Sequence, residues 1–254
     1  MKTNDYNDIS IVYDSVLWWN YEKYSNVLNL LYAKYIKNSD KISVLDIACG
    51  TWWILKYLDF KEKIEGIDIS EWMIKTAQNN FPDNTFSVNS FLSLPIEKKY
   101  NFIFSIFDSL NHVSNQWDIY KIFHDVFSML KNWGIFFFDI NTLQKFKSFK
   151  SEIHQIVNNQ GDYIIINREF EEPNIWKWHL DLFSKLDKFD SCYKKSTTVI
   201  EEISFDIPDL VNYLEKYFSK VILYDMKDIS LDKKISVEES SWLWIFRIWI
   251  LCIK

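Results

Sequence analysis

Two carboxylates at the ends of two apolar runs are the first chemistry this sequence offers. Asp46 nearly closes the run Ile42 to Ile47, and Asp68 closes Ile64-Glu65-Gly66-Ile67-Asp68, about twenty residues later. Directly after the first run comes the small-residue turn Ala48-Cys49-Gly50-Thr51. Small residues after a strand let a ligand approach bare backbone, and a helix starting beyond them offers unpaired N–H groups. A carboxylate at this spacing suits the two hydroxyls of a ribose. A third acid, Asp108, follows the run Phe102 to Phe107, with His112 just beyond it. Imidazole titrates near neutral pH, so His112 is a candidate proton acceptor, with Asp108 as a second.

The elements that position these residues follow from the alternation of the chain. Apolar runs of strand length (Ile42–Ile47, Ile64–Asp68, Thr85–Val88, Phe102–Phe107, Ile135–Ile140) are separated by segments of helical period. Helices are predicted from Ile54 to Phe60, from Glu71 to Asn80 with Ser70 as N-cap, and from Asp118 to Leu130. The last of these carries Ile119, Ile122, Phe123, Val126 and Phe127 on one face. Ahead of the first strand, Val27, Leu30, Leu31 and Tyr35 mark an amphipathic helix to about Lys37. This order predicts an α/β fold: a doubly wound, mostly parallel, seven-stranded Rossmann-like sheet with helices on both faces. Ligands in such sheets bind beyond the carboxyl ends of the strands, where Asp46, Asp68 and Asp108 stand.

Past Asn141 the pattern changes. Alternating runs such as Trp176-Lys177-Trp178-His179-Leu180-Asp181-Leu182, set off by Gly161-Asp162 and Pro173-Asn174, predict an antiparallel sheet over 150–203. It is expected to be a lid or substrate platform inserted in a single domain spanning 1–254. Trp176, Trp178 and Phe183 are assigned to its core. A helix from Ile207 to Phe218 and two strands, Val221–Tyr224 and Trp244–Ile253, complete the sheet, the strands as an edge hairpin.

Composition excludes several partners. A net charge of −6 without a basic stripe argues against a nucleic-acid backbone. Cys49, Cys192 and Cys252 lie far apart, with no C-x-x-C and no histidine at ligand spacing, so neither a metal site nor a disulfide is expected and a reducing cytoplasm fits. The N-terminus lacks a signal-peptide core, and the run Trp242–Ile253 is too short to span a bilayer. No membrane partner is expected. A dehydrogenase would need G-x-G-x-x-G in the first turn, where a single glycine stands.

The stretch Val44-Leu45-Asp46-Ile47-Ala48-Cys49-Gly50-Thr51 resembles motif I, V-L-D-x-(G/A)-C-G-T-G, of the class I S-adenosylmethionine-dependent methyltransferases of small molecules. Gly66-Ile67-Asp68-Ile69-Ser70 with Met73 resembles the family's G-(V/I)-D-x-S-x-x-M, and Asn89 to Pro95 its G-D-M-x-x-L-P. The resemblance implies S-adenosylmethionine as cofactor and methyl transfer to a nitrogen or oxygen of a small metabolite, by a monomer or homodimer. It gives Asp68 the ribose diol. Asp46, Ala48, Gly50 and position 52 fall to the cofactor's methionine end, and Ile69, Met73, Ser90 and Phe91 to the nucleoside. Phe107 and Asp108 border methyl transfer, Tyr13 belongs to a cover over the active site, and His112 resembles a histidine of the sugar-amine N-methyltransferases. The resemblance leaves one alternative, a degenerate member that no longer binds cofactor and serves as an interaction module.

Trp52, with Ser90 and Asn101 at positions where the family usually has an acid, favours that alternative. Trp52 stands where motif I ends in glycine, and Trp133 where Leu130-Lys131-Asn132-Trp133-Gly134 resembles the family's L-K-P-G-G. The chain has 4 glycines and 12 tryptophans, whereas a usual glycine share of about 7% would give roughly 18. The sum of the two counts is close to that figure. A gene that writes glycine as UGA, translated with UGA as tryptophan, would produce this deficit and this excess together.

Overall fold

The computed structural model of the chain describes residues 21–37, 41–60, 62–148, 153–157, 161–186, 192–242 and 244–254. Helix α1 (Tyr21–Leu31) precedes β1 (Val44–Ile47), β2 (Ile64–Asp68), α2 (Glu71–Asn80), β3 (Thr85–Val88) and β4 (Tyr100–Ser105). Then come α3 (Gln116–Met129), β5 (Leu130–Asn141) and α4 (Leu143–Ser148). Strands β6 (Ile153–Val157), β7 (Tyr163–Glu171), β8 (Ile175–Lys185) and β9 (Tyr193–Ile203) form a separate antiparallel sheet. Helix α5 (Ile207–Leu214) leads back to β10 (Lys220–Asp225), β11 (Lys234–Ile235) and β12 (Arg247–Ile253).

The main sheet runs β11-β10-β12-β5-β4-β1-β2-β3. Strands β1 to β5 are parallel, and β12 enters antiparallel between β5 and β10. Strands β1 and β4 are buried along their full length, as their continuous apolar runs require when helices cover both faces. One face packs under α3 and α5 through Phe123, Val126, Leu210 and Leu214, and the other under α1 and α2 through Leu28, Leu31, Ile74 and Ala77. The order reverses around β1, which lies between β2 and β4. That switch point opens a crevice at the carboxyl ends.

Helix starts follow their caps. Ser70 Oγ accepts from the Met73 N–H at 3.3 Å to begin α2. Asn115 Oδ1 accepts from Trp117 and Asp118 to begin α3. In the antiparallel sheet Ile164, Ile166, Leu180, Leu182 and Ile200 bury one face together, with Trp178 packed against them. Trp176, only 1% exposed, packs instead against Phe146 of α4, at the seam between the two sheets.

Four expectations are corrected. The main sheet has eight strands rather than seven, because the two-residue β11 pairs with Leu223 and Tyr224; so short and polar a segment carries no periodic signal. The helix predicted from Ile54 is a single 3-10 stretch, Trp53–Tyr57. Asn29 of α1 stops it, donating to the Tyr57 carbonyl at 3.1 Å and accepting from the Asp59 N–H at 2.9 Å. Strand β12 lies inside the sheet, and β11 takes the edge. Its first residue is Arg247 rather than Trp244.

Candidate functional site

Strain gathers at two loops on the crevice. Ala48 (φ 63°) and Trp52 (φ 65°) follow β1, and Phe107 (φ 61°) and Asp108 (φ 52°) follow β4. Each non-glycine residue in this left-handed region costs about 1–2 kcal/mol. Such strain persists where the surrounding structure holds it, and it clusters at ligand sites.

A cleft opens between these loops and the ends of β2 and β3. It is lined by Ala48, Gly50, Asp68, Ile69, Met73, Phe91 and His112, together with Ile67, Asn89 and Ser109. Asp68 ties the loop after β1 to the turn after β2. Its Oδ2 accepts from the Gly50 N–H and its Oδ1 from the Ser70 N–H, both at 2.9 Å. Burial pushes its carboxyl up, and these backbone donors draw it partly back. A carboxylate offers about four acceptor positions, and with the N–H groups of Ser70, Gly50 and Ile69 bearing on this one, one remains for a ligand hydroxyl.

A second cavity shares Ala48, Gly50 and Ser109 with the first and is walled by Tyr21, Asp46, Trp52 and Phe107. Asp46 is 1% exposed. Its Oδ2 accepts from the Trp52 indole N–H at 2.7 Å, and its Oδ1 has no hydrogen-bond partner among the described residues. Burial holds the Asp46 carboxyl well above the usual carboxylate range.

On the far side of the crevice lies a cluster of buried charge. Arg247, at the start of β12, pairs with Asp108, and its Nη1 stands 3.3 Å from Asp139 Oδ2 and donates to the Tyr24 hydroxyl at 2.8 Å. The Asp139 Oδ2 accepts from that hydroxyl at 2.9 Å and from the Asp108 N–H at 3.0 Å. Asn141 donates to Glu202 at 2.7 Å, and Lys145 donates to Asn141 at 2.8 Å. Burial raises Asp139 to about 6 and lowers Lys145 to about 8. Strand β9 is joined here. Asn111 donates to the Ile203 carbonyl at 2.8 Å, and His112 Nδ1 lies 3.2 Å from the Glu201 carbonyl oxygen. A carbonyl only accepts, so Nδ1 carries the hydrogen and Nε2 is the basic nitrogen of the neutral ring.

The structure thus brings Ala48, Gly50, Asp68, Ile69, Met73, Phe91 and His112 together on one cleft, and Asp46, Trp52 and Phe107 on the adjoining cavity. Asp108 is engaged by Arg247, and Ser90 caps the short helix after β3, accepting from the Leu92 N–H at 3.2 Å. Tyr13 lies outside the described residues. Sequence reasoning missed Asn89, one residue before Ser90, and Ser109. It also missed Arg247, Asp139, Lys145 and Glu202, for which no local pattern gave a signal. Among the described residues no group of histidine, cysteine and acids is placed to hold a metal.

This crevice, fed by β1, β2 and β4 at the switch point, is that of a class I methyltransferase fold. Residues 44–134 match the family described as "Methyltransferase domain". The chain is also similar to YqeM of Bacillus subtilis (strain 168), with 24% identity over 187 residues covering 67% of this chain and 74% of that one. Among solved structures, an S-adenosylmethionine-dependent methyltransferase from Clostridium acetobutylicum ATCC 824 matches with a TM-score of 0.77 and 23% identity, covering 98% of each chain. The amino pentose methyltransferase CalS10 of Micromonospora echinaspora matches with a TM-score of 0.70 and 10% identity, over 96% of this chain and 97% of that one. Residues 44–134 therefore match a methyltransferase domain, and the described residues have the fold of the class I S-adenosylmethionine-dependent methyltransferases.

Proposed function

We propose that this chain transfers a methyl group from S-adenosylmethionine to a nitrogen or oxygen of a small metabolite. The observation that carries the reading is Asp68, a strand-end carboxylate at the switch point, lining the cleft beside apolar Ile69, Met73 and Phe91 with acceptor capacity left. Those residues fit a nucleoside: the acid takes a hydroxyl of the ribose diol and the apolar side chains flank the base. When bound, the sulfonium supplies an electrophilic methyl carbon with a neutral thioether as leaving group. The chain's own work is to hold the acceptor in line, exclude water and take up a proton. Positioning alone is worth up to about 7–11 kcal/mol, and a base adds about 10²–10⁴-fold. His112 Nε2 is the proposed proton acceptor. Asp108, held by Arg247, is a positioning residue of the same loop.

The β6–β9 sheet, within the 150–203 insertion, serves as the acceptor platform, since its last strand meets the base-bearing loop through Glu201 and Ile203. CalS10 acts on an amino pentose. An amino sugar or comparable hydroxylated amine is accordingly the first acceptor to test. The same reading takes the chain as a cytoplasmic monomer or homodimer acting on small molecules, consistent with its charge of −6. No helix of the described residues is long and apolar enough to cross a membrane.

One observation favours a second reading, a cofactor-blind interaction module: the Trp52 indole sits on Asp46, in the part of the site that the methionine end of the cofactor would need. Calorimetric titration with S-adenosylmethionine, followed by transfer of labelled methyl to a panel of amino sugars and other small amines and alcohols, tests the first reading. Saturable binding and labelled product are expected. A folded protein that neither binds nor transfers, even with glycine at position 52, would leave the module reading standing.

A further inference from the structure

Positions 52 and 133 share a positive φ, 65° at both. No other tryptophan among the described residues has a positive φ. The left-handed region suits glycine and is least tolerant of bulky side chains. Trp133 recovers nothing for it, since its side chain is 79% exposed. The irregular start of β5 around it excludes a side chain at the next position: a Cβ on Gly134 would stand 2.9 Å from the Lys131 carbonyl oxygen and 3.1 Å from that of Asn101.

Trp52 does the reverse and is buried, 1% exposed, edge-on against Phe86 at 4.4 Å. Its indole N–H takes one oxygen of Asp46 and leaves the other unpartnered among the described residues. That carboxylate and the indole wall the same cavity. A glycine at 52 would relax the backbone, return Asp46 to the cleft and join the two cavities where they already share Ala48, Gly50 and Ser109.

Other tryptophans behave as genuine ones. Trp176, between Phe146 and Trp178, and Trp249, beside Tyr24 and Phe137, are 1% and 0% exposed and fill core that a glycine would leave empty. The strained pair and the packed pair thus separate on geometry alone, and the glycine deficit, which the first pair would begin to fill, points the same way.

We infer that positions 52 and 133 are glycine positions, written UGA in the gene and read as glycine in its source, and that the indole at 52 plugs the Asp46 end of the cleft. The first half stands on backbone geometry and composition. The second rests on the cofactor reading above.

The gene's own codons test the first half. UGA is expected at 52 and 133 and UGG at 176 and 249, with a tryptic peptide from the native source showing glycine at 52. UGG at 52 or 133, or UGA at 176 and 249 as well, overturns the inference. The second half is tested by titrating S-adenosylmethionine into the chain as written and into W52G/W133G, both checked for folding by circular dichroism. At least a tenfold gain in affinity for the glycine form is expected, with a higher denaturation midpoint. Equal, measurable affinity in both forms would overturn the plug while leaving the cofactor reading intact. UGA codons with no binding by the folded glycine form would overturn the cofactor reading, and with it the plug, while leaving the recoding intact.

Discussion

The two sides of the crevice are built on opposite plans. The side formed by β1, β2 and β3 is made of backbone, small and apolar residues and one partly exposed acid, and its polar contacts join neighbouring strand ends: Asp68 reaches Gly50 and Ser70. The side formed by β4, β5, β9 and β12 is a buried lattice of charge, in which Asp108, Asp139, Asn141, Lys145, Glu202 and Arg247 converge from distant parts of the chain. A site for an invariant nucleoside can be written as a local motif. A site for a variable acceptor must be assembled from separate elements, and each contact there is also a contact of the fold.

The largest effect that would sharpen this contrast is expected at Arg247. Arg247→Met leaves Asp139 buried without its cation and Asp108 with only Lys145, 3.9 Å away, which should cost about 3–5 kcal/mol of stability. Urea denaturation measures it, and a loss below about 1 kcal/mol would show that the lattice is solvated rather than buried. On the other side, Asp68→Ala should weaken S-adenosylmethionine binding by about 1.5–3 kcal/mol, the range for a hydrogen bond to a charged group. Because Asp68 also holds the Gly50 and Ser70 N–H groups, a smaller loss of stability should accompany it.

The next test is pH. Asp139, raised to about 6 by burial, holds its proton in the folded chain where an unfolded aspartate, near 3.9, has lost it. Its contribution to stability is therefore fully present below about 3.9 and is lost as pH rises through about 6. Asp139→Asn should flatten the stability profile across that window. An unchanged slope in the variant would assign the titration to Glu202 or another of the buried acids.

The smallest effect belongs to the platform. Replacing 150–203 with the corresponding segment of a relative should change which acceptors are methylated and leave cofactor affinity where it was. Loss of cofactor binding in such a folded chimera would dissolve the division between the two sides.

The same division explains what could be read from the sequence. Strands β2 and β3, helix α2 and its Ser70 cap matched their predicted bounds, because period and capping are local signals. The residues proposed for the nucleoside could be picked out for the same reason, each lying within a few positions of a strand end. Arg247 was not, since its partners Asp108 and Asp139 are joined to it only by the sheet order that slots β12 beside β5. Glu202 reads as one more acid on an alternating strand until Asn141 is placed against it. The expected Ile54 helix failed because Asn29, on a helix far upstream, cuts it short.

The most direct test of the account is calorimetric titration of S-adenosylmethionine into W52G and into W52G carrying Asp68→Ala. Saturable binding by the first, weakened by roughly ten- to a hundredfold in the second, is the predicted result. Absence of binding by a folded W52G protein, or equal affinity in both, would contradict a cofactor held by Asp68.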